Sequence, residues 1–310
     1  MKKIPLGSTL VGAYRFLVTN IVSIVGTVWF PIVFFSALCA GLVYLAVPHD
    51  WLSGNLAHLK HLKSPVEIIA LLLPILRVYP AILFLILLMT AMVFTGLMRH
   101  ALGQKTTTTF IYFSLGAQVW RMLGAFVLYY LIVLLLAGVL ALLFCAVYYF
   151  GVPLVPHGPG IAILVVLGVI EVLFYIYATV RLAFFLPAVV VAENKIGIGS
   201  SWSLGGGNFW RIIVVVLLAV IPLAFVAQLI LQMTVMPVIM VEAMKLPHDM
   251  GPEDIGHFLH ALLPLLPVFI AIVLVERIAI LGLLCGAIGT AYNAVTASDA
   301  PAEGATSAAA

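Results

Sequence analysis

Six stretches of the chain are apolar for long enough to cross a bilayer, which takes roughly 20 helical residues. They run at about 18–46, 76–98, 122–150, 160–184, 211–240 and 261–292. Several are longer than a bilayer needs, so tilt or extension beyond the hydrocarbon is expected. Pro31, Pro80, Pro222, Pro264 and Pro267 fall in or near the spans and mark places for kinks. The polar intervals are too short to fold alone. The pattern predicts an all-α, polytopic membrane protein with one transmembrane domain over 1–297. A small, polar, disordered tail follows from Ser298.

Composition agrees with the pattern. The chain has 310 residues, 65% hydrophobic and 8% charged, with mean hydropathy +1.28. Soluble domains carry roughly 25% charged residues. The first apolar run, Leu17 to Val47, is about twice the roughly 7–15 residues of a signal-peptide core, so it reads as a retained first span. No basic run points to nucleic acid. Cys39, Cys145 and Cys285 lie inside apolar segments without a CxxC spacing and read as membrane-buried thiols.

Lys and Arg set the orientation. With the N-terminus inside, the inner flanks hold Lys2, Lys3, Arg15, Arg99, Lys105, Arg121, Arg181, Lys195 and Arg211. The outer loops hold Lys60, Lys63 and Lys245. The expectation is a bacterial inner-membrane protein with both termini in the cytoplasm. The outer loops lie at 48–66, 151–159 and 241–257, the first of them a candidate interfacial helix with Trp51 at headgroup level.

The odd-numbered spans are entered alike: STLVGAYRF (8–16), FSLGAQVWRM (113–122) and SLGGGNFWRI (203–212). Each has serine, glycine and then an aromatic-arginine pair: Tyr14-Arg15, Trp120-Arg121 and Trp210-Arg211. An interfacial ring with an arginine snorkelling to lipid phosphate explains the pair. A short, poorly helical interfacial segment explains what precedes it. The expectation is three hairpins, each with such a lead-in.

Ionisable groups inside spans are functional hypotheses, since a mid-bilayer charge costs about 2.5–3.5 kcal/mol on insertion scales. Glu171 lies in the fourth span, Glu276 and Arg277 in the sixth, and Arg77 at the start of the second. Two readings stand. One is a proton or substrate relay through Glu171 and Glu276, with Arg277 as counter-charge. The other is a buried pair of Glu171 with Arg277 that fixes helix packing. Gln228 and Gln232, on the fifth span, would line the same interior or bond neighbouring helices.

Seven of eight histidines fall on the outer side. His58/His61 and His257/His260 have i,i+3 spacing, which puts both rings of a pair on one helix face. A metal site and simple interfacial placement both fit, and no two-Cys or HExxH pattern supports metal. The GGGN run at 205–208 is either a turn or a place for backbone N–H groups to meet a lipid headgroup with Arg211. Gly282 and Gly286 form a GxxxG, for close packing within the chain or with a second copy. Ser200, Ser201 and Ser203 lie inside and the histidines mostly outside, so the bilayer separates the parts of a serine hydrolase.

The run from Arg181 through Pro187-Ala188, Glu193, Ser200-Ser201-Trp202 and the glycines to Trp210-Arg211 resembles a signature of bacterial membrane proteins. It is similar to the membrane domain fused to some glycerophosphodiester phosphodiesterases and to related uncharacterised six-helix inner-membrane proteins. The closing GTAYNAV (289–295) resembles their tyrosine-containing end. The resemblance covers about a third of the chain by motif. It implies a fold without the soluble phosphodiesterase domain, whose metal ligands are missing from this sequence.

Pro187 to Trp202 has no counterpart in the other two entries. Glu193, Lys195, Ser200 and Trp202 are therefore the expected partner or headgroup surface. The leading functional expectation is a non-enzymatic scaffold or accessory subunit without a cofactor, packing with membrane lipids, another membrane protein or itself. A transporter or lipid-handling protein with a polar interior around Glu171, Glu276 and Arg277 is the rival. An intramembrane enzyme ranks last.

Overall fold

A computed structural model describes residues 2–46, 65–104, 110–151, 157–245, 258 and 261–297. All regular structure among them is helical. The tail from Ser298, Trp51 and the histidines His49, His58, His61, His248, His257 and His260 lie outside the described residues.

Helix α1 (Leu6–Thr19) comes before the first span and is separate from it. It ends at Asn20, whose side-chain amide donates back to the Phe16 carbonyl at 3.1 Å. The spans are α2 (Ile21–Ala46), α3 (Pro65–Ala101), α4 (Ala117–Ala146, continuing through a π-helical turn at Val147–Gly151) and α5 (His157–Ala183). Two short helices follow, α6 (Leu186–Glu193) and α7 (Ile198–Leu204). The chain then forms α8 (Phe209–Thr234), α9 (Met236–Met244) and α10 (Leu266–Thr296). Six helical stretches are long and apolar enough to cross a membrane, at the places the hydrophobic pattern predicts. Pro31 and Pro222 lie within α2 and α8 without ending them.

Helix α3 packs on α2, α4 and α10; α5 packs on α4 and α8; α8 packs on α10. The buried core gathers at one end of this bundle, around Leu97, Met98, Met122, Leu186, Ile212 and Leu283. Arg99, Arg121, Arg181 and Arg211 belong to the helix ends there, so it is called the arginine-rich end below. Away from it, α4 and α5 leave apolar side chains exposed, with Leu134, Leu135 and Leu142 at 70% or more. In lipid such exposure carries little of its cost in water, since the tails are as apolar as leucine.

Two expectations about this end need correction. The first lead-in is not poorly helical, because α1 is a 14-residue helix. It lies along α10 and α8. Nor is Pro187-Ala188 and the valine run after it an open surface. Leu186 to Val191 are buried, and α6 packs against α3, α4, α5, α7 and α10. The cause is composition: LPAVVVA is apolar on every side, and a helix apolar all round is buried. Eight residues are too few to span, so α6 fills the space between the ends of the spans instead.

Candidate functional site

The polar residues at the arginine-rich end are spent on holding the chain together. After α5, the backbone turns at Phe184-Phe185 into α6, and α6 ends at Asn194 in the left-handed conformation (φ 54°). Asparagine tolerates that conformation at a helix C-terminus. Its side-chain oxygen accepts from Arg121 Nη1, which ties the start of α4 to the end of α6. Glu193 Oε2 pairs with Lys195 Nζ at 2.8 Å and accepts from Ser200 Oγ at 3.4 Å.

Arg181 sits in an aromatic cage. Its guanidinium carbon lies 4.1 Å from the Trp202 ring centre and 5.6 Å from that of Tyr177. Nε donates to the Trp202 carbonyl at 2.9 Å and Nη1 to the Tyr177 hydroxyl at 2.6 Å. Phe209 closes the group, 4.9 Å from Tyr177 between ring centres. Buried Ser201 donates to the Leu182 carbonyl at 2.7 Å. Gly205 is glycine for a steric reason: a Cβ there would stand 2.9 Å from the Arg181 carbonyl oxygen. Gly207, at φ 71°, turns the chain into α8. The GGGN run is thus the turn between α7 and α8.

Asn208 and Arg211 clamp the N-terminal residues. Asn208 Oδ1 accepts from the Ile4 N–H at 3.0 Å, and Nδ2 donates to the Lys2 carbonyl at 3.2 Å. Arg211 Nη1 donates to the Ile4 carbonyl at 2.6 Å. Both Ile4 and Asn208 are buried. Further along, the Tyr14 hydroxyl donates to the Leu218 carbonyl at 3.1 Å. Arginines 121 and 211 were expected to reach lipid phosphate; each directs one guanidinium nitrogen at its own chain. Their neighbours Trp120 and Trp210 remain exposed. The three aromatic-arginine pairs are not placed alike. Trp120-Arg121 and Trp210-Arg211 sit in the first turn of a span, whereas Tyr14-Arg15 lies within α1.

The loop before α4 is held from α2. Trp29 Nε1 donates to the Phe110 carbonyl at 2.8 Å, and Phe30 and Phe34 stack edge-on against Phe113. Tyr112 in this loop is buried, and burial pushes its hydroxyl above the ordinary tyrosine range, opposed by Ser114 and Arg99. No signal in the sequence pointed to Asn208 or Asn194 as partners, because each meets a residue far from it along the chain, whereas Tyr177 meets Arg181 one helical turn on.

The intramembrane polar residues do not converge. Glu171 on α5 is half-buried, and its Oε1 is buried with no hydrogen-bond partner. Arg277 on α10 is exposed, and among the described residues no ion pair joins it to Glu171 or Glu276. The expected Glu171–Arg277 packing pair is therefore not formed within the chain. Helices α5 and α10 each pack on α8 instead of lying side by side. Glu276 lines a cavity of about 350 Å³ between α8 and α10, with Leu223, Ala227 and Ile230. Gln228 and Gln232 are exposed on α8 and do not line that cavity.

A second cavity, of about 310 Å³, lies beside α6. Phe184, Leu186 and Pro187 form one wall, Phe94, Phe126, Tyr129 and Tyr130 others, and Leu284 and Ile288 the last. Its lining is apolar and aromatic, with phenol and threonine hydroxyls.

Gly282 and Gly286 are not free for a second copy. A Cβ at Gly286 would stand 3.0 Å from Phe16 and 3.1 Å from the Ala13 Cα, and one at Gly282 would stand 2.9 Å from Leu17. Helix α1 of the same chain fills the groove. Gly289 continues it and meets Ala101 at the end of α3. Among the described residues no three His, Cys, Asp or Glu converge as metal ligands; His58, His61, His257 and His260 lie outside those residues. No family model, curated protein or solved structure matches the chain. The chain is a polytopic helical membrane protein.

Proposed function

We propose that the chain is a non-enzymatic integral protein of a bacterial inner membrane, a scaffold or accessory subunit that packs with lipids or another membrane protein. One observation carries this reading. Arg121, Arg181, Asn208 and Arg211 of the arginine-rich end bond backbone and side chains of the same chain, while the long faces of α4 and α5 are left apolar and open. A protein so built offers rigidity and apolar area more than a reactive centre. The excess of Lys and Arg at that end supports its cytoplasmic placement. The motif resemblance to the phosphodiesterase-linked membrane domain supports the fold alone.

The test is purification of the intact chain in mild detergent or native lipid particles, with identification of what accompanies it. Stoichiometric lipid or a recurrent membrane-protein partner is the expected result. A bare monomer with neither attached would sink the reading.

A second reading, lipid handling, is favoured by the cavity beside α6, whose volume and apolar lining with a few hydroxyls suit a small hydrophobic ligand. Reconstituted vesicles carrying fluorescent phospholipid separate the two readings. Transbilayer movement that depends on the chain and is lost on Ala183→Trp would favour handling; none would favour the scaffold.

A further inference from the structure

We propose that the chain self-associates in the membrane through an ion pair between Arg277 of one copy and Glu171 of the next. The starting point is depth. Ala183 on α5 and Ile288 on α10 line the same cavity, so they stand within about one helical turn of each other in depth. Both helices run toward that level from the far end of the bundle. Glu171 lies 12 residues before Ala183, and Arg277 lies 11 before Ile288. At about 1.5 Å per residue the two groups stand about 18 Å and about 16.5 Å above the cavity, nearly equal heights deep inside the spans.

Two copies inserted with the same orientation therefore present these opposite charges at similar depth. Within one copy the pair is not made, because α5 and α10 are held apart on α8. Arg277 is exposed on a face where Ile270, two turns before it, is exposed as well. Glu171 is half-buried and flanked by exposed Ile170, Val172 and Leu173, and its Oε1 is buried without a hydrogen-bond partner in its own chain. A charged group at this depth is stabilised by an opposite charge, not by lipid tails. Arg277 lies 11 residues from the start of α10 and 19 from its end, well inside the helix.

Glu276 is the other acid at this level. It is turned into its own chain, against Leu223, Ala227 and Ile230 of α8, and adjacent residues on a helix do not share a face. Donor and acceptor of the proposed pair sit on different helices, so the interface is head-to-tail and generates a ring or an open row of copies.

The proposal extends the reading of the chain as a membrane-packing protein. Its test is counting of fluorescently tagged full-length copies by single-molecule photobleaching in vesicles, over a series of protein-to-lipid ratios. Wild type is expected to associate. Arg277→Glu and Glu171→Arg are each expected to weaken association at least tenfold, and the double variant to restore it. Arg277→Gln and Glu171→Gln keep the test decisive if a reversed charge hinders folding: they should lose association with unchanged melting.

A wild type that stays monomeric at every ratio overturns the proposal. So does association that survives either single reversal, or rescue of Arg277→Glu by Glu276→Arg instead of Glu171→Arg. A monomer that still carries lipid or another membrane protein overturns self-association alone and leaves the scaffold reading in place.

Discussion

Replacing Asn208 with leucine should open the N-terminal strap while leaving the spans intact. Asn208 is buried and accepts the Ile4 N–H at 3.0 Å, and Ile4 is itself fully buried. Leucine fills similar space but accepts nothing, so the Ile4 amide must stay unsatisfied or the strap must lift. A buried donor left without its partner costs about 1–3 kcal/mol. At about 1.4 kcal/mol per factor of ten, that makes strap opening about 5-fold to 150-fold more frequent.

Hydrogen–deuterium exchange of the N-terminal peptide reads this directly, because local opening sets the exchange of a protected amide. Asn208→Asp is the control. It keeps the acceptor for Ile4 and gives up the donation to the Lys2 carbonyl at 3.2 Å. Ile4 should then exchange near the wild-type rate. Unchanged exchange in Asn208→Leu would refute the clamp. Equal loss in both variants would shift the main contribution from the Ile4 bond to the Lys2 bond.

Four further outcomes follow from other contacts. Gly286→Leu should destabilise the fold by about 1–3 kcal/mol, as overpacking does, because the Ala13 backbone stands where the side chain would go. Gly7→Ala in the same helix α1 meets nothing and should be neutral or slightly stabilising; thermal melting in detergent checks both. Arg181→Lys should cost about 1–2 kcal/mol, since an ammonium cannot stack on Trp202 and also donate in the planar fork that reaches Tyr177 and the Trp202 carbonyl. A shift in tryptophan fluorescence should accompany it, and an unchanged spectrum and melt would count against the cage. Burial raises the Tyr112 hydroxyl above its unfolded value of about 10, so the unfolded chain loses that proton first. The stability it contributes is present below about pH 10 and lost as pH rises through the folded value. Tyr112→Phe should flatten the alkaline end of the melting-versus-pH curve, and an unaltered slope would contradict this.

The spans were legible because membrane helices are selected by length and hydropathy, both local along the chain. The Leu/Val/Ile runs of α4 and α8 announce themselves without reference to anything else. Helix α6 was not legible in the same way. Its LPAVVVA segment is as apolar as a span but only seven residues long, and the charged Glu193 and Lys195 that follow made it look like surface. Only the packing of α3, α4 and α10 around it makes it interior. Glu171 and Arg277 failed for the opposite reason. Their charges were plain, but pairing them needs helix adjacency, which no periodicity encodes.

The aromatic-arginine pairs carry this further. One sequence pattern stands at three places and does three jobs. Arg121 holds the end of α6 through Asn194; Arg211 holds the N-terminal strap through Ile4; and the Tyr14 ring bonds α1 to α8 through Leu218. The shared part is the cheap one, an aromatic ring at a helix face beside a long cationic arm. What the arm grasps is decided by whichever backbone carbonyl or amide lies within reach. For Arg211 that is an N-terminal strap some 200 residues earlier in the chain. The arginine-rich end is therefore held from both ends of the chain, with α1 and the strap packed against α8 and α10. Its order depends on contacts of long sequence separation, and the Asn208 exchange experiment probes that dependence at a buried joint.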